Sequence, residues 1–145
     1  MTDLDGNPVV VAGVELVTLQ RITGDNGSLI VGELGAGLPF VAERIFTLLD
    51  IPAGEARGTH AHRHCEQFLI CMRGSVRALV DDGTTRQHVQ LDSPSLGLYM
   101  PPLTWGTQYD YSDDALLVVL ASDVYDASDY IEDYDEFLVL AGKGR

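Results

Sequence analysis

Apolar residues along this chain recur in short runs, many with a two-residue period, and each run is closed by a glycine, a proline or an Asp/Asn cluster. Such a pattern predicts half-buried strands joined by tight turns. Residues 8–20 (PVVVAGVELVTLQ) predict one long or two short strands, 23–28 a turn, 28–33 a strand, and 35–39 a further break. Residues 41–51 predict a strand with Arg44, Phe46 and Leu48 on one face. Two central strands follow Gly54, and in residues 75–81 Val76, Ala78 and Val80 alternate with Arg77 and Leu79. Asp81-Asp82-Gly83 is a hairpin signal leading into 84–91, and 96–100, 107–111 and 115–121 complete the series.

The C-terminus changes period. Over residues 126–140, Tyr130, Ile131, Tyr134, Phe137 and Leu138 are spaced for an amphipathic helix, with Asp126 or Ser128 as its cap. Many short strands and one terminal helix predict an all-β sandwich or barrel. The 145 residues suffice for one domain with a real core, and 1–145 reads as a single unit.

Composition narrows the function classes. A net charge of −13 argues against nucleic-acid and anionic-membrane partners. No apolar run is long enough to span a bilayer, and the acidic N-terminus is unlike a secretory signal, so a cytoplasmic protein is expected. Cys65 and Cys71 form no C-x-x-C and are expected to be reduced. Eight of the nine basic residues are Arg, the side chain suited to bidentate contact with a diphosphate.

Candidate chemistry concentrates in residues 54–74, where His60, His62 and His64 fall within five positions. Alternation on a strand turns His60 and His62 to one face. The spacing Gly54, His60, His62, Gln67, Gly74 resembles the first motif of the cupins, small jelly-roll β-barrels. Typical cupins complete a metal site there with a Glu, and with a His in a second motif. This chain has Gln67 and Gly106 at those places, and a carboxamide and a glycine are poor substitutes as ligands. The site therefore reads as free of metal. Two unligated imidazoles suit acid–base work near neutral pH, such as proton transfer beside a carbonyl through an enediol.

The segments RGTHAHRHCEQ (57–67), DDG (81–83), DSP (92–94), GLYMP (97–101) and ASDVYDASDYIEDYDEF (121–137) together resemble the WxcM-like sugar 3,4-ketoisomerases, cupins acting on dTDP-4-keto-6-deoxyglucose. That resemblance implies a ketone shifted from C4 to C3 with no cofactor. His60 and His62 match the family's paired histidines, with His62 expected as the main base. Arg57 and Arg44 match arginines for the diphosphate or sugar, and Gln67 a group that contacts a hydroxyl or orients a histidine. Tyr99 and Trp105 fall near the barrel mouth, as core or as substrate contacts. A homodimer exchanging N-terminal strands is also implied, with residues 8–20 a candidate for the exchange. Some family members carry His where this chain has Gly106, which bears on the face of C4 that is reprotonated. The competing readings are a nucleotide-sugar-binding cupin without catalysis and an enzyme like the deoxysugar 3,5-epimerases.

Overall fold

Twelve strands and one α-helix follow one another in the computed structural model, which describes residues 1–33 and 37–144. Part of the break expected over 35–39 lies outside the described residues. The strands are β1 (Glu15–Thr18), β2 (Gln20–Gly24), β3 (Gly27–Val31), β4 (Arg44–Leu48), β5 (Arg57–His62) and β6 (Gln67–Arg73). They continue as β7 (Val76–Asp81), β8 (Arg86–Leu91), β9 (Leu96–Met100), β10 (Trp105–Tyr109), β11 (Leu116–Ala121) and β12 (Tyr130–Ile131), before α1 (Tyr134–Leu140).

One five-stranded sheet has the order β1-β9-β6-β11-β4, and the other β12-β5-β10-β7-β8. From β4 to β12 each connection changes sheet, except the β7–β8 hairpin, and the ladders are antiparallel. This is the expected all-β jelly roll with a short C-terminal helix. Alternation explains the packing: Val76, Ala78 and Val80 of β7 meet Leu69 and Cys71 of β6 and Leu117 and Val119 of β11 in one core cluster. Each fully buried Val or Leu there contributes about 1.5–3 kcal/mol. Strand β6 is apolar on both faces, because Phe68 and Ile70 are covered on the outside by Leu19, Val17 and Ile30.

Two expectations are corrected. Within residues 8–20 only β1 and the first residue of β2 are strand. The backbone before them is satisfied by side chains instead: Gln87 Oε1 accepts the N–H groups of Val10 and Val11, and Asp82 Oδ2 that of Ala12. The helix expected over 126–140 is confined to α1, capped by Asp133. Ahead of it, Ala127–Asp129 forms a single 3-10 turn capped by Asp126, and Tyr130 and Ile131 are extended, pairing with His62 and Ala61. A free strand edge on β5 offers those two residues a ladder that a helix would forgo.

Candidate active site

Strand β5 carries the chemistry, and its irregularity decides what faces the interior. Arg57 and His60 are three apart, which on a regular strand would turn them to opposite faces. Against β10, however, His60 lies opposite Gly106 and Arg57 opposite Gln108, so three steps on β5 match two on β10. The extra residue is a β-bulge, the device that re-aims side chains beside active sites. Gly58 supplies it at φ +71°, and a Cβ there would lie 2.4 Å from Gln108 Oε1. Arg57, Gly58, His60 and His62 consequently line one cavity. Gly58→Ala is expected to cost about 1–3 kcal/mol, from strain at positive φ and displacement of Gln108. Urea denaturation checks this, and an unchanged midpoint would remove the bulge from the account.

The cavity encloses about 400 Å3, within the range of small-ligand pockets. Phe46 and Leu48 of β4, Leu69 of β6 and Val119 of β11 give it apolar walls, while Gln67, Gln108, Thr104 and Tyr130 add polar groups. Thr104 is 4 % exposed and its Oγ1 has no partner among the described residues. Its loop is held by Leu103, which sits at φ 58° and donates its N–H to the His62 carbonyl at 2.8 Å. A buried hydroxyl left open in this way is a ready contact for a ligand.

Inside, the imidazoles form a chain. His60 Nε2 and His62 Nε2 are 3.1 Å apart, and His62 Nδ1 is 2.9 Å from Asp129 Oδ2. Asp129 also accepts the N–H groups of His64 at 2.7 Å and Cys65 at 3.3 Å. Arg63 fastens the same segment by donating to the carbonyls of Ser128 and Tyr130. The Tyr130 ring packs 4.8 Å from His60 and 4.6 Å from His62. Burial, then the neighbouring His62, brings His60 down to about 4. Burial likewise lowers His62, against the pull of Asp129. Burial would raise the Asp129 carboxyl, but the bonds from His62 and the His64 N–H outweigh it and the net shift is downward. At neutral pH the site holds a carboxylate and two neutral imidazoles.

Of the residues read from the sequence, His60, His62, Arg57 and Gln67 meet in the cavity. Arg44 stands beside it on β4, its guanidinium 5.4 Å from the Phe46 ring and 5.8 Å from that of Tyr125. Tyr99 is outside the lining; its hydroxyl donates to Glu66 and its ring lies 6.2 Å from Phe40. Trp105 packs with Tyr134 and Phe137 under α1, in a separate apolar cluster. Gly106 faces Met100: a Cβ there would come within 2.6 Å of Met100 Cε, so the thioether occupies the room a His would need. Sequence reasoning missed Asp129, Tyr130, Thr104 and Gln108.

Among the described residues one group brings three metal-type donors together, His62, Cys65 and Asp129, within 4.8 Å of one another. His62 Nδ1 and the Cys65 N–H both converge on Asp129 Oδ2, and the Cys65 thiol donates to the Glu66 carbonyl, so each of the three residues is engaged in a hydrogen bond within the protein. No helix among the described residues is long and apolar enough to cross a membrane.

Known proteins share the sequence and the fold of this chain. The family described as FdtA: WxcM-like, C-terminal, matches residues 12–142. A TDP-4-oxo-6-deoxy-alpha-D-glucose-3,4-oxoisomerase from Aneurinibacillus thermoaerophilus is 42 % identical over 123 residues, covering 85 % of this chain and 88 % of its own. The TDP-quinovose 3,4-ketoisomerase WlaRB of Campylobacter jejuni superposes with a TM-score of 0.85 at 38 % identity, covering 89 % of this chain and 99 % of that one. A mutant of the 3,4-ketoisomerase QdtA of Thermoanaerobacterium thermosaccharolyticum, in complex with TDP-4-keto-6-deoxyglucose, gives 0.88 at 32 % identity, covering 92 % and 97 %.

Proposed function

The chain belongs to the FdtA, WxcM-like family, and from that premise we propose that it is an isomerase converting TDP-4-keto-6-deoxyglucose to a TDP-3-keto-6-deoxyhexose. The observation that carries the reading is the pair of hydrogen-bonded neutral imidazoles opening on an enclosed polar cavity. A base takes the C3 proton, the C3–H electrons form the C3–C4 double bond, and O4 gains a proton. The resulting enediol loses its O3 proton and regains one at C4, leaving the ketone at C3. His60 and His62 supply these proton transfers, and no atom is gained or lost overall.

Arg57 lines the cavity and would hold the diphosphate, with Arg44 adding positive charge from β4. Gln67, Gln108 and the open Thr104 hydroxyl would bind sugar oxygens. The configuration at C4 follows from which face of the enediol receives the proton, and with glycine at 106 no side chain from that position reaches the cavity.

A homodimer is part of the proposal. The β2–β3 hairpin pairs with no other described strand, and Ile22 and Leu29 are 50 % and 59 % exposed on it. Among the described strands β4 is the edge of its sheet, with Ile45 65 % exposed. An unpaired hairpin and an unpaired edge invite pairing between two copies, which moves the expected exchange from residues 8–20 to the hairpin. A cytoplasmic location accords with the free thiols of Cys65 and Cys71.

Proton NMR of TDP-4-keto-6-deoxyglucose with the protein in D2O tests the activity. Loss of the C3 proton signal and growth of a 3-keto product are expected. Binding without C3 exchange would leave a nucleotide-sugar-binding protein, and exchange at C5 would indicate an epimerase.

A further inference from the structure

His62, Cys65 and Asp129 stand between two cavities. His62 and Cys65 line the large one, while Asp129 lines a second of about 290 Å3 together with Glu43, His64, Asp123 and Asp126. The carboxylates there give the second cavity a negative potential that draws cations, in a chain of net charge −13. In the wall between the cavities one nitrogen, one sulfur and one oxygen lie no more than 4.8 Å from one another, and His62 Nδ1 is 2.9 Å from Asp129 Oδ2. Tetrahedral zinc, with bonds of about 2.0–2.3 Å, spaces its ligands roughly 3.3–3.7 Å apart. Side-chain shifts of about 1 Å therefore close this set around an ion.

We propose that His62 Nδ1, Cys65 Sγ and one oxygen of Asp129 form a capture site for zinc and similar thiophilic dications, inhibitory when filled. The site is distinct from the cupin metal position. The ion would lie behind His62, at the ring nitrogen turned away from His60, with water as its fourth ligand. Charge balance favours the complex, because one thiolate and one carboxylate cancel a dication and leave the buried group neutral. The proton balance is simple. The thiol proton leaves to solvent, and His62 exchanges its Nδ1 proton for one at Nε2, which faces His60 Nε2 at 3.1 Å. One proton is released in all.

The surroundings would support the bound state. Ser122 Oγ is 3.8 Å from Cys65 Sγ and would donate to the thiolate. The Glu66 carbonyl, deprived of the thiol proton, keeps the N–H of Ser122. Asp129 stays oriented by the N–H groups of His64 and Cys65. Magnesium and calcium, which take oxygen ligands, do not suit a donor set of nitrogen and sulfur. A filled site withdraws His62 from proton transfer, since the ion holds both its Nδ1 and its carboxylate partner. That consequence rests on the isomerase reading, whereas binding itself does not.

Cadmium ion alone is the first probe. Titrated into the protein, it is expected to produce the ultraviolet charge-transfer band of a metal-bound thiolate, saturating at one equivalent. Cys65→Ala is expected to lose the band and to bind at least about tenfold more weakly. Cys71→Ala, altered in the barrel core, is expected to keep both. One equivalent of Zn2+ should slow exchange of the substrate C3 proton by about tenfold or more in the wild type, and far less in Cys65→Ala relative to its own metal-free rate. A wild type that gives no thiolate band overturns the site, however the variants fold. A band that survives Cys65→Ala and vanishes in Cys71→Ala also overturns it. A saturated band with undiminished exchange overturns the inhibition. A protein that shows the band but exchanges no C3 proton without metal overturns the isomerase reading and supports the capture site.

Discussion

His60→Asn is expected to abolish exchange of the substrate C3 proton, by about 10³-fold or more, whereas His62→Asn leaves a slow residual rate about 10- to 100-fold above that of His60→Asn. Asparagine approximates the imidazole in size and polarity but does not take a proton, so the cavity stays formed and TDP affinity should move little. The ordering comes from position along the hydrogen-bond chain: one imidazole has a free basic nitrogen and the other is held at both ends. Losing the first removes the base. Losing the second leaves a base without its relay, still able to act slowly. Deuterium incorporation at C3, followed by NMR at several pH values, measures both. The reverse ordering would return the role of first base to His62, and equal loss in both variants would mean that the two act as a single unit.

How far this site was legible in the sequence depends on which contacts are local. His60 and His62 are two apart on one strand, and alternation alone puts them on one face. Gln67 and Phe46 follow from the same rule on their own strands, and both line the cavity. Arg57 does not. Alternation from His60 would turn it away, and only the bulge at Gly58, visible once β5 and β10 are in register, brings it back. Resemblance supplied Arg57 without giving that reason. Asp129 was hidden by a different cause. The spacing of Tyr130, Ile131, Tyr134 and Phe137 fits a helix, and a helical Asp129 would be an ordinary acidic residue near an N-terminus. In the structure the apolar residues serve two purposes instead. Ile131 is buried beside β5, and Phe137 is buried beneath α1. One periodic pattern thus covers a strand and a helix, and the carboxylate before them is aimed at His62. Trp105 shows the opposite failure, a residue drawn toward the site by alignment although its ring belongs to the packing of α1.

Gly97→Ala is expected to destabilise the protein by about 3 kcal/mol, the largest effect foreseen for addition of a single methyl group. Nothing in the backbone of this residue demands glycine, since it is absent from the positive-φ residues. The demand is steric. Gly97 pairs with Ile70 on β6 and Val17 on β1, and the far end of the Phe68 ring reaches over it. A Cβ at 97 would fall 2.1 Å from Phe68 Cζ and 2.4 Å from Cε2, so the ring itself must move. Phe68 is 0 % exposed and packed against Leu19 and Ile70, which leaves it little room. At this chain length the loss corresponds to a melting temperature lower by roughly 6–12 °C. A double-mutant cycle separates this cause from any other. Phe68→Leu alone should destabilise by opening a cavity, but combined with Gly97→Ala it should recover about 1–2 kcal/mol of the summed loss, because the shorter side chain vacates the space the methyl needs. Strict additivity in thermal or urea denaturation would mean that the ring and the glycine are not coupled. Coupling would show why the G-L-Y-M-P segment carries glycine: β9 must press close under an aromatic ring on its outer face before it ends at Met100, whose side chain forms part of the cavity wall on the inner one.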